Sequence, residues 1–268
     1  MREREVSAMI KWLLSHFRVQ NGMYFDKEYQ YKQNHYFCSD IIDDSIWNYG
    51  FMETISIENL LEFNKFCNSI KRRTSLYIPS SSTEIKDESL LQEIGYEAPR
   101  NESGGLITES WMKFSGKRYS LPADYDVVSV RTEKQARDFI SVFLAAYGGE
   151  KTPEKPYGEL SPAYLKALTR TFGVQKFHHF VCYNQDVPVA VATLCFYEGQ
   201  GGLYNVGTDP RFEKKGYGLA VSNACINKWM ELGGEELFLQ TETGTGIDDW
   251  YGRMGFEVIF YGAVYELK

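Results

Sequence analysis

Apolar positions along the 268-residue chain alternate between helical and extended spacing from end to end. Val6, Met9, Ile10, Leu13 and Phe17 keep helical spacing, which predicts an amphipathic first helix ended by Asn21-Gly22. The aromatic-rich stretches Met23 to Cys38 and Ile46 to Thr54 read as short strands. Ser56 is placed to cap a helix running to Arg72, with Leu60, Leu61, Cys67 and Ile70 inward. A strand at Ser75 to Pro79, a short helix at Glu88 to Ile94 ended by Gly95, and a strand at Gly105 to Phe114 follow.

The second half opens with a strand at Tyr125 to Val130. Thr132-x-x-Gln135 fits a capping box, and Ala136, Phe139, Ile140, Phe143, Leu144 and Tyr147 give the next helix an apolar stripe. Ser161-Pro162 starts another helix, with Leu165, Leu168 and Phe172 inward. Phe177 to Tyr183 and Val187 to Tyr197 read as a hairpin around Asn184-Gln185-Asp186. Gly202 to Thr208 is a strand ended by Asp209-Pro210. After Gly216-Tyr217-Gly218 comes a helix with Val221, Cys225, Trp229 and Leu232 on one face. A strand at Glu236 to Thr241, a short helix at Ile247 to Met254 and a strand at Glu257 to Leu267 close the chain. The Gly- and Pro-containing Ser115 to Asp124 reads as a linker, giving domains at 1–120 and 125–268.

Composition narrows the partners. A hydrophobic content of 43% and a charged content of 24% are those of a soluble globular protein, and a net charge of −7 argues against nucleic acid. A negative field favours cationic acceptors such as amines. Cys38, Cys67, Cys182, Cys195 and Cys225 form no C-x-x-C pair, which argues against a disulfide framework or a structural zinc site. The N-terminus has periodic rather than continuous apolar positions, so no signal peptide or membrane span is expected and the cytoplasm is the expected compartment.

The candidate chemistry lies in the glycine-rich turn. Glycine at a helix start leaves the first N–H groups uncovered, and these donors with the helix dipole suit an anion such as a pyrophosphate. Lys214 and Lys215 add positive charge there; a surface turn with solvated lysines is the plainer reading. Glu213-Lys214-Lys215-Gly216-Tyr217-Gly218, after a strand and before a helix, resembles motif A of the GNAT superfamily of N-acyltransferases. That motif has Arg or Gln where this chain has Glu213. Downstream, Tyr251-Gly252-Arg253-Met254-Gly255-Phe256 resembles the family's Tyr-x-x-x-Gly-Phe motif. The resemblance covers 126–268, with specific motifs in its last third.

The resemblance implies an α/β (α+β) GNAT fold: a mixed central sheet flanked by helices, preceded by a smaller partial GNAT-like domain. It implies acetyl-CoA (coenzyme A) as cosubstrate without a metal, strand contacts at Val206, Gly207 and Thr208, and pyrophosphate contacts at Lys214, Lys215, Gly216, Tyr217, Gly218, Leu219 and Ala220. Tyr251 stands where the family keeps its acid; a phenol with pKa of about 10 is protonated at neutral pH. It also reads as a packing tyrosine. For the base, Glu242, His178, His179 and a water relay stay open. Tyr147, Tyr157, Glu150, Glu154 and Glu159 are expected to seat an ammonium, or else to form a solvated loop. The expected acceptor is the primary amine of a small molecule or peptide, with neither nucleic acid nor membrane as partner and a homodimer left open. The alternatives are a non-catalytic acyl-CoA-binding regulatory module and acyl transfer from aminoacyl-tRNA, which the net charge disfavours.

An internal repeat is also expected. Leu76-Tyr77-Ile78-Pro79, a loop, a helix and Leu91-Gln92-Glu93-Ile94-Gly95-Tyr96-Glu97 match Leu237-Phe238-Leu239-Gln240, a loop, a helix and Tyr251 to Glu257. The first copy has Leu91 where the second has Tyr251 and no glycine-rich turn, so a degenerate GNAT-like unit without its own cofactor site is expected at the N-terminus.

Overall fold

A computed structural model describes residues 2–32, 34–52, 54–86, 88–116, 125–149 and 160–268, with side chains in the first helix from Ala8 onward. In chain order the elements are α1 (Arg2–Gln20), β1 (Lys27–Tyr31), β2 (Asn34–Cys38), β3 (Asn48–Phe51), α2 (Ile57–Ser69), β4 (Ser75–Ser80), α3 (Glu88–Ile94), β5 (Tyr96–Glu97) and β6 (Glu109–Phe114). Then come β7 (Asp126–Ser129), α4 (Glu133–Tyr147), α5 (Pro162–Thr169), β8 (Phe177–Asn184), β9 (Val187–Tyr197), β10 (Gln200–Thr208), α6 (Tyr217–Glu231), β11 (Glu236–Glu242), α7 (Ile247–Arg253) and β12 (Phe256–Leu267). Most of the expected linker, 117–124, lies outside the described residues.

The compact units are not contiguous in sequence. The first comprises Met1–Asn21, Phe25–Lys117 and Gln240–Lys268; the second comprises Gly22–Tyr24 and Arg118–Leu239. These units differ from the contiguous segments 1–120 and 125–268 expected from the sequence. The closing strand β12 takes β4 and β6 as antiparallel neighbours, with Val264 opposite Tyr77 and Phe256 opposite Phe114. Those backbone bonds bind the chain's last 29 residues into the first unit. A linker can be read from composition, but the choice of strand partner cannot.

In the first unit the sheet order is β1-β2-β3-β4-β12-β6, with β5 on the end of β12. All its neighbours are antiparallel except β3 and β4. Strand alternation sends Leu76 and Ile78 of β4 toward Leu60, Phe63 and Cys67 of α2 and Leu91 of α3. Tyr77 between them points to the other face, where its ring meets Trp111 edge-on. Leu61, expected inward, is 48% exposed, and Phe63 holds the core position instead. On the α1 side, His16, Phe17, Phe25, Phe37, Trp47, Tyr49 and Trp111 form a continuous aromatic cluster.

The expected repeat has a local physical form. Gly95 after α3 and Gly255 after α7 both take left-handed φ values, 96° and 89°, which a Cβ disfavours. Each donates its N–H to the carbonyl three residues back, Gln92 and Gly252 respectively. Each is followed by a buried aromatic residue, Tyr96 or Phe256, that starts a strand.

In the second unit the order is β11-β10-β9-β8-β7, antiparallel except for β10 with β11. The capping box forms as its spacing predicts. The Thr132 hydroxyl accepts from Gln135 N–H, and the Gln135 side chain accepts from the backbone of Thr132. Ser161 caps α5, with Pro162 in its first turn. Phe139, Val142 and Phe143 of α4 pack on one face of the sheet, and Val221, Cys225 and Ile226 of α6 on the other. Leu232, expected on the buried stripe of α6, caps the helix and is 36% exposed.

Candidate functional site

The site begins where β10 leaves its parallel neighbour. Gln200, Gly201 and Gly202 pair with Glu236, Leu237 and Phe238, and the register with β11 ends there. Over the rest of its length β10 keeps register with β9, interrupted by a bulge. Tyr204 pairs with Thr193 and Gly207 with Val191, so Asn205 and Val206 together face Ala192. Asn205 takes a φ of 54°, the left-handed region that asparagine tolerates better than most residues.

Two phenols hold this bulge. The Tyr24 hydroxyl donates to the Asn205 side-chain oxygen at 2.7 Å, and the Tyr147 hydroxyl donates to the Val206 carbonyl at 2.7 Å. Gly207 lets α4 approach. A Cβ there would lie 2.7 Å from that of Ala146 and 3.0 Å from the Tyr147 ring. Val206, Gly207 and Thr208 are thus the last residues of a strand whose backbone is positioned from the α4 side.

Asp209 ends the strand. It is buried, accepts from the Arg211 N–H and grips the Arg211 guanidinium through Nε and Nη2. The chain then turns through exposed Glu213, Lys214 and Lys215 into α6. Gly216 is the N-cap, with a φ of 83° and no side chain to cap the helix. The first helical bond runs from Ala220 N–H to the Gly216 carbonyl at 3.0 Å. The N–H groups of Tyr217, Gly218 and Leu219 therefore lie ahead of the helical ladder, where the dipole favours an anion. Behind the turn, the Tyr125 hydroxyl donates to the Lys215 carbonyl at 2.9 Å and its ring packs edge-on against Tyr217. These donors and this close backbone fit a diphosphate.

The strand and turn residues expected from sequence, Val206 to Thr208 and Lys214 to Ala220, all lie in the second unit. Tyr251 lies on α7 in the first, 7% exposed, with its ring edge-on to Trp250 and Phe256. Glu242 is exposed at the end of β11. Glu150, Glu154, Tyr157 and Glu159 lie outside the described residues.

The adjacent histidines divide between the two faces of β8, as alternation requires. His178 is half-buried on the α6 side, where burial and then Lys228 lower its pKa. His179 is buried against Phe139 and Phe172. Burial, and then His178, lower its pKa to about 3. Its ring nitrogens each lie 2.9 Å from a hydroxyl, Thr171 on one side and Thr193 on the other. Both nitrogens being engaged removes His179 as a base. All five cysteines are buried and none is in a disulfide among the described residues, where no cluster of three metal-ligating side chains occurs either. No helix among them is long and apolar enough to cross a membrane.

The second unit thus presents a bulged strand that leaves its parallel neighbour and runs into a helix start with no side-chain cap. Residues 142–256 match the model of the Acetyltransferase (GNAT) family. No curated protein sequence matches the chain. Among solved structures, a GCN5-related N-acetyltransferase from Kribbella flavida aligns with a TM-score of 0.62 at 15% identity, over 94% of this chain and 93% of that one. One from Sphaerobacter thermophilus gives 0.60 at 14% identity, over 88% and 77%. A tandem GNAT protein from the clavulanic acid biosynthesis pathway gives 0.54 at 8% identity, over 87% and 77%. At these identities the likeness is one of fold: a GNAT-type mixed sheet flanked by helices, including a tandem arrangement.

Sequence reasoning did not find Tyr24, Asn205 or the Tyr147 hydrogen bond. Tyr24 and Asn205 are 181 positions apart, and no local pattern joins them. The one available signal was an asparagine inside a strand, a residue suited to a left-handed bulge.

Proposed function

We propose that the chain is an acetyl-CoA-dependent N-acetyltransferase that acts on the primary amine of a small molecule or peptide. The observation that carries this reading is the course of β10, from its last pair with β11 at Gly202, through the bulge, into the glycine start of α6. The backbone of Val206 to Thr208 would align the pantetheine chain, and the N–H groups of Tyr217, Gly218 and Leu219 would hold the diphosphate. The amine attacks the acetyl carbonyl as its free base. A C–N bond forms, the C–S bond breaks, the amine loses a proton to solvent and the departing thiolate takes one from an acid. Tyr251 is assigned as that acid from its motif.

Glu213, exposed beside the two lysines, favours a second reading, a module that binds acyl-CoA without turnover. The test is calorimetric titration with acetyl-CoA, followed by thiol release from acetyl-CoA with a panel of amines. Binding with turnover is expected. Binding without turnover of any amine would favour the module. Gly218→Asp places a carboxylate where the diphosphate lies, and the folded variant should lose most of its affinity. Unchanged affinity would remove this turn from the site.

A further inference from the structure

The polar groups behind the β10 bulge form one hydrogen-bonded chain, and its direction can be worked out from the far end. The Thr171 hydroxyl donates to the Leu168 carbonyl at 2.5 Å. A hydroxyl has one proton, so the Thr171 oxygen accepts at its 2.9 Å contact with His179 Nε2. The imidazole proton therefore sits on Nε2, and Nδ1 is an acceptor. Nδ1 takes the Thr193 hydroxyl proton at 2.9 Å. The Thr193 oxygen then accepts from Asn205 Nδ2 at 3.1 Å, and the Asn205 amide oxygen accepts from the Tyr24 hydroxyl at 2.7 Å. Each donor along this path meets an acceptor, from Tyr24 to the end of α5.

The head of the chain is anchored from outside the strand. Gly22–Tyr24 belongs to the second unit although its sequence neighbours on both sides belong to the first. Arg170 Nη2 donates to the Met23 carbonyl at 2.7 Å, and the Tyr24 ring lies 6.0 Å from that of Tyr164. Tyr24 is 3% exposed, so its hydroxyl has little access to water as a substitute partner. The neutral state of His179 suits the direction. A protonated imidazole would point an N–H at Thr193 and reverse that link.

We propose that Tyr24 and Asn205 are positioning residues for acyl-CoA: the chain locks Asn205 in its left-handed conformation and so sets where Val206, Gly207 and Thr208 present their backbone. This rests on reading the second unit as the acyl-CoA site. The locked residue sits immediately before the three whose main chain would meet the pantetheine, and the locking group comes from a segment distant in sequence. A bulge without the lock would sample other conformations and meet the cofactor less often in the productive one.

The experiment combines calorimetry with acetyl-CoA, thermal melting and nitrogen-15 NMR of the histidine side chains. His179 should appear as the Nε2-protonated tautomer. Tyr24→Phe keeps the ring and removes the donor. It should weaken acetyl-CoA binding by roughly 2- to 10-fold, the range of one net hydrogen bond. Asn205→Gly permits the left-handed conformation but cannot be held in it, and should lose a similar factor. The double variant should lose no more than the weaker-binding single one, because both break the same chain. Additive losses, full affinity in Tyr24→Phe with or without a lower melting temperature, or a proton on Nδ1 would each overturn the positioning role. A wild-type protein that does not bind acetyl-CoA would overturn the reading of the unit itself, and this role with it.

Discussion

Tyr251 is where chemistry and packing are hardest to separate, because its ring is buried between Trp250 and Phe256. Tyr251→Phe keeps both ring contacts and removes only the hydroxyl. If that hydroxyl protonates the thiolate, kcat with an accepted amine should fall by about 10² to 10⁴, the usual worth of a general acid. Acetyl-CoA affinity and melting temperature should stay near those of the wild type. A loss of melting temperature with kcat unchanged would place the hydroxyl in the fold rather than in the reaction. The tyrosine was legible from its Tyr-x-x-x-Gly-Phe context, because the glycine and the aromatic residue after it are local helix-end chemistry. The neighbours of its ring were not.

At the scale of the element, the start of α6 depends on one backbone conformation. Gly216→Ala would impose a left-handed φ on a residue with a Cβ, at about 1 to 2 kcal/mol. That Cβ would also fall 2.2 Å from the Tyr125 hydroxyl oxygen. Stability should fall, as followed by circular dichroism on heating, and acetyl-CoA affinity should fall with it. Adding Tyr125→Phe removes the clashing oxygen and leaves the φ cost. The double variant should therefore recover part of the lost stability. Full recovery would show that the collision was the whole effect. The glycine was visible in the sequence as a helix-start signal. Tyr125, 90 residues before the Lys215 carbonyl it binds, was not.

For the whole molecule, the buried ionisable groups set the response to pH. His16 in the first unit and His179 in the second are each lowered to about 3, burial being the main cause. Their unfolded value is about 6.5. As pH falls from 6.5 toward 3, the unfolded chain takes protons that the folded chain refuses, so stability falls with pH in that window. Glu109 acts in the opposite sense. Burial pushes it up to about 7 from an ordinary 4.5, while the Tyr77 hydroxyl pulls it down. The folded chain keeps a proton there that the unfolded chain has released, so this group lowers stability as pH rises from 4.5 to 7. Glu109→Gln should therefore raise the melting temperature more at pH 8 than at pH 5. An equal change at both values would show that Glu109 ionises without cost.

The sequence by itself determined the elements and the glycine turn, because both are local. Apolar periodicity placed α4, β8, β9 and α6. Thr132 with Gln135, and Ser161 with Pro162, announced helix starts that formed as their spacing required. Gly216 and Gly218 named the candidate phosphate turn. The tertiary structure alone decided which strands became neighbours, and so assigned β12 and Tyr251 to the first unit rather than the second. It alone brought Gly22–Tyr24 into the second unit and carried one hydrogen-bonded chain from Tyr24 through Asn205 to His179. Helical spacing and caps act over a few residues. Strand pairing and buried hydrogen bonds are settled by burial and by the need to satisfy every buried donor, wherever its partner lies along the chain.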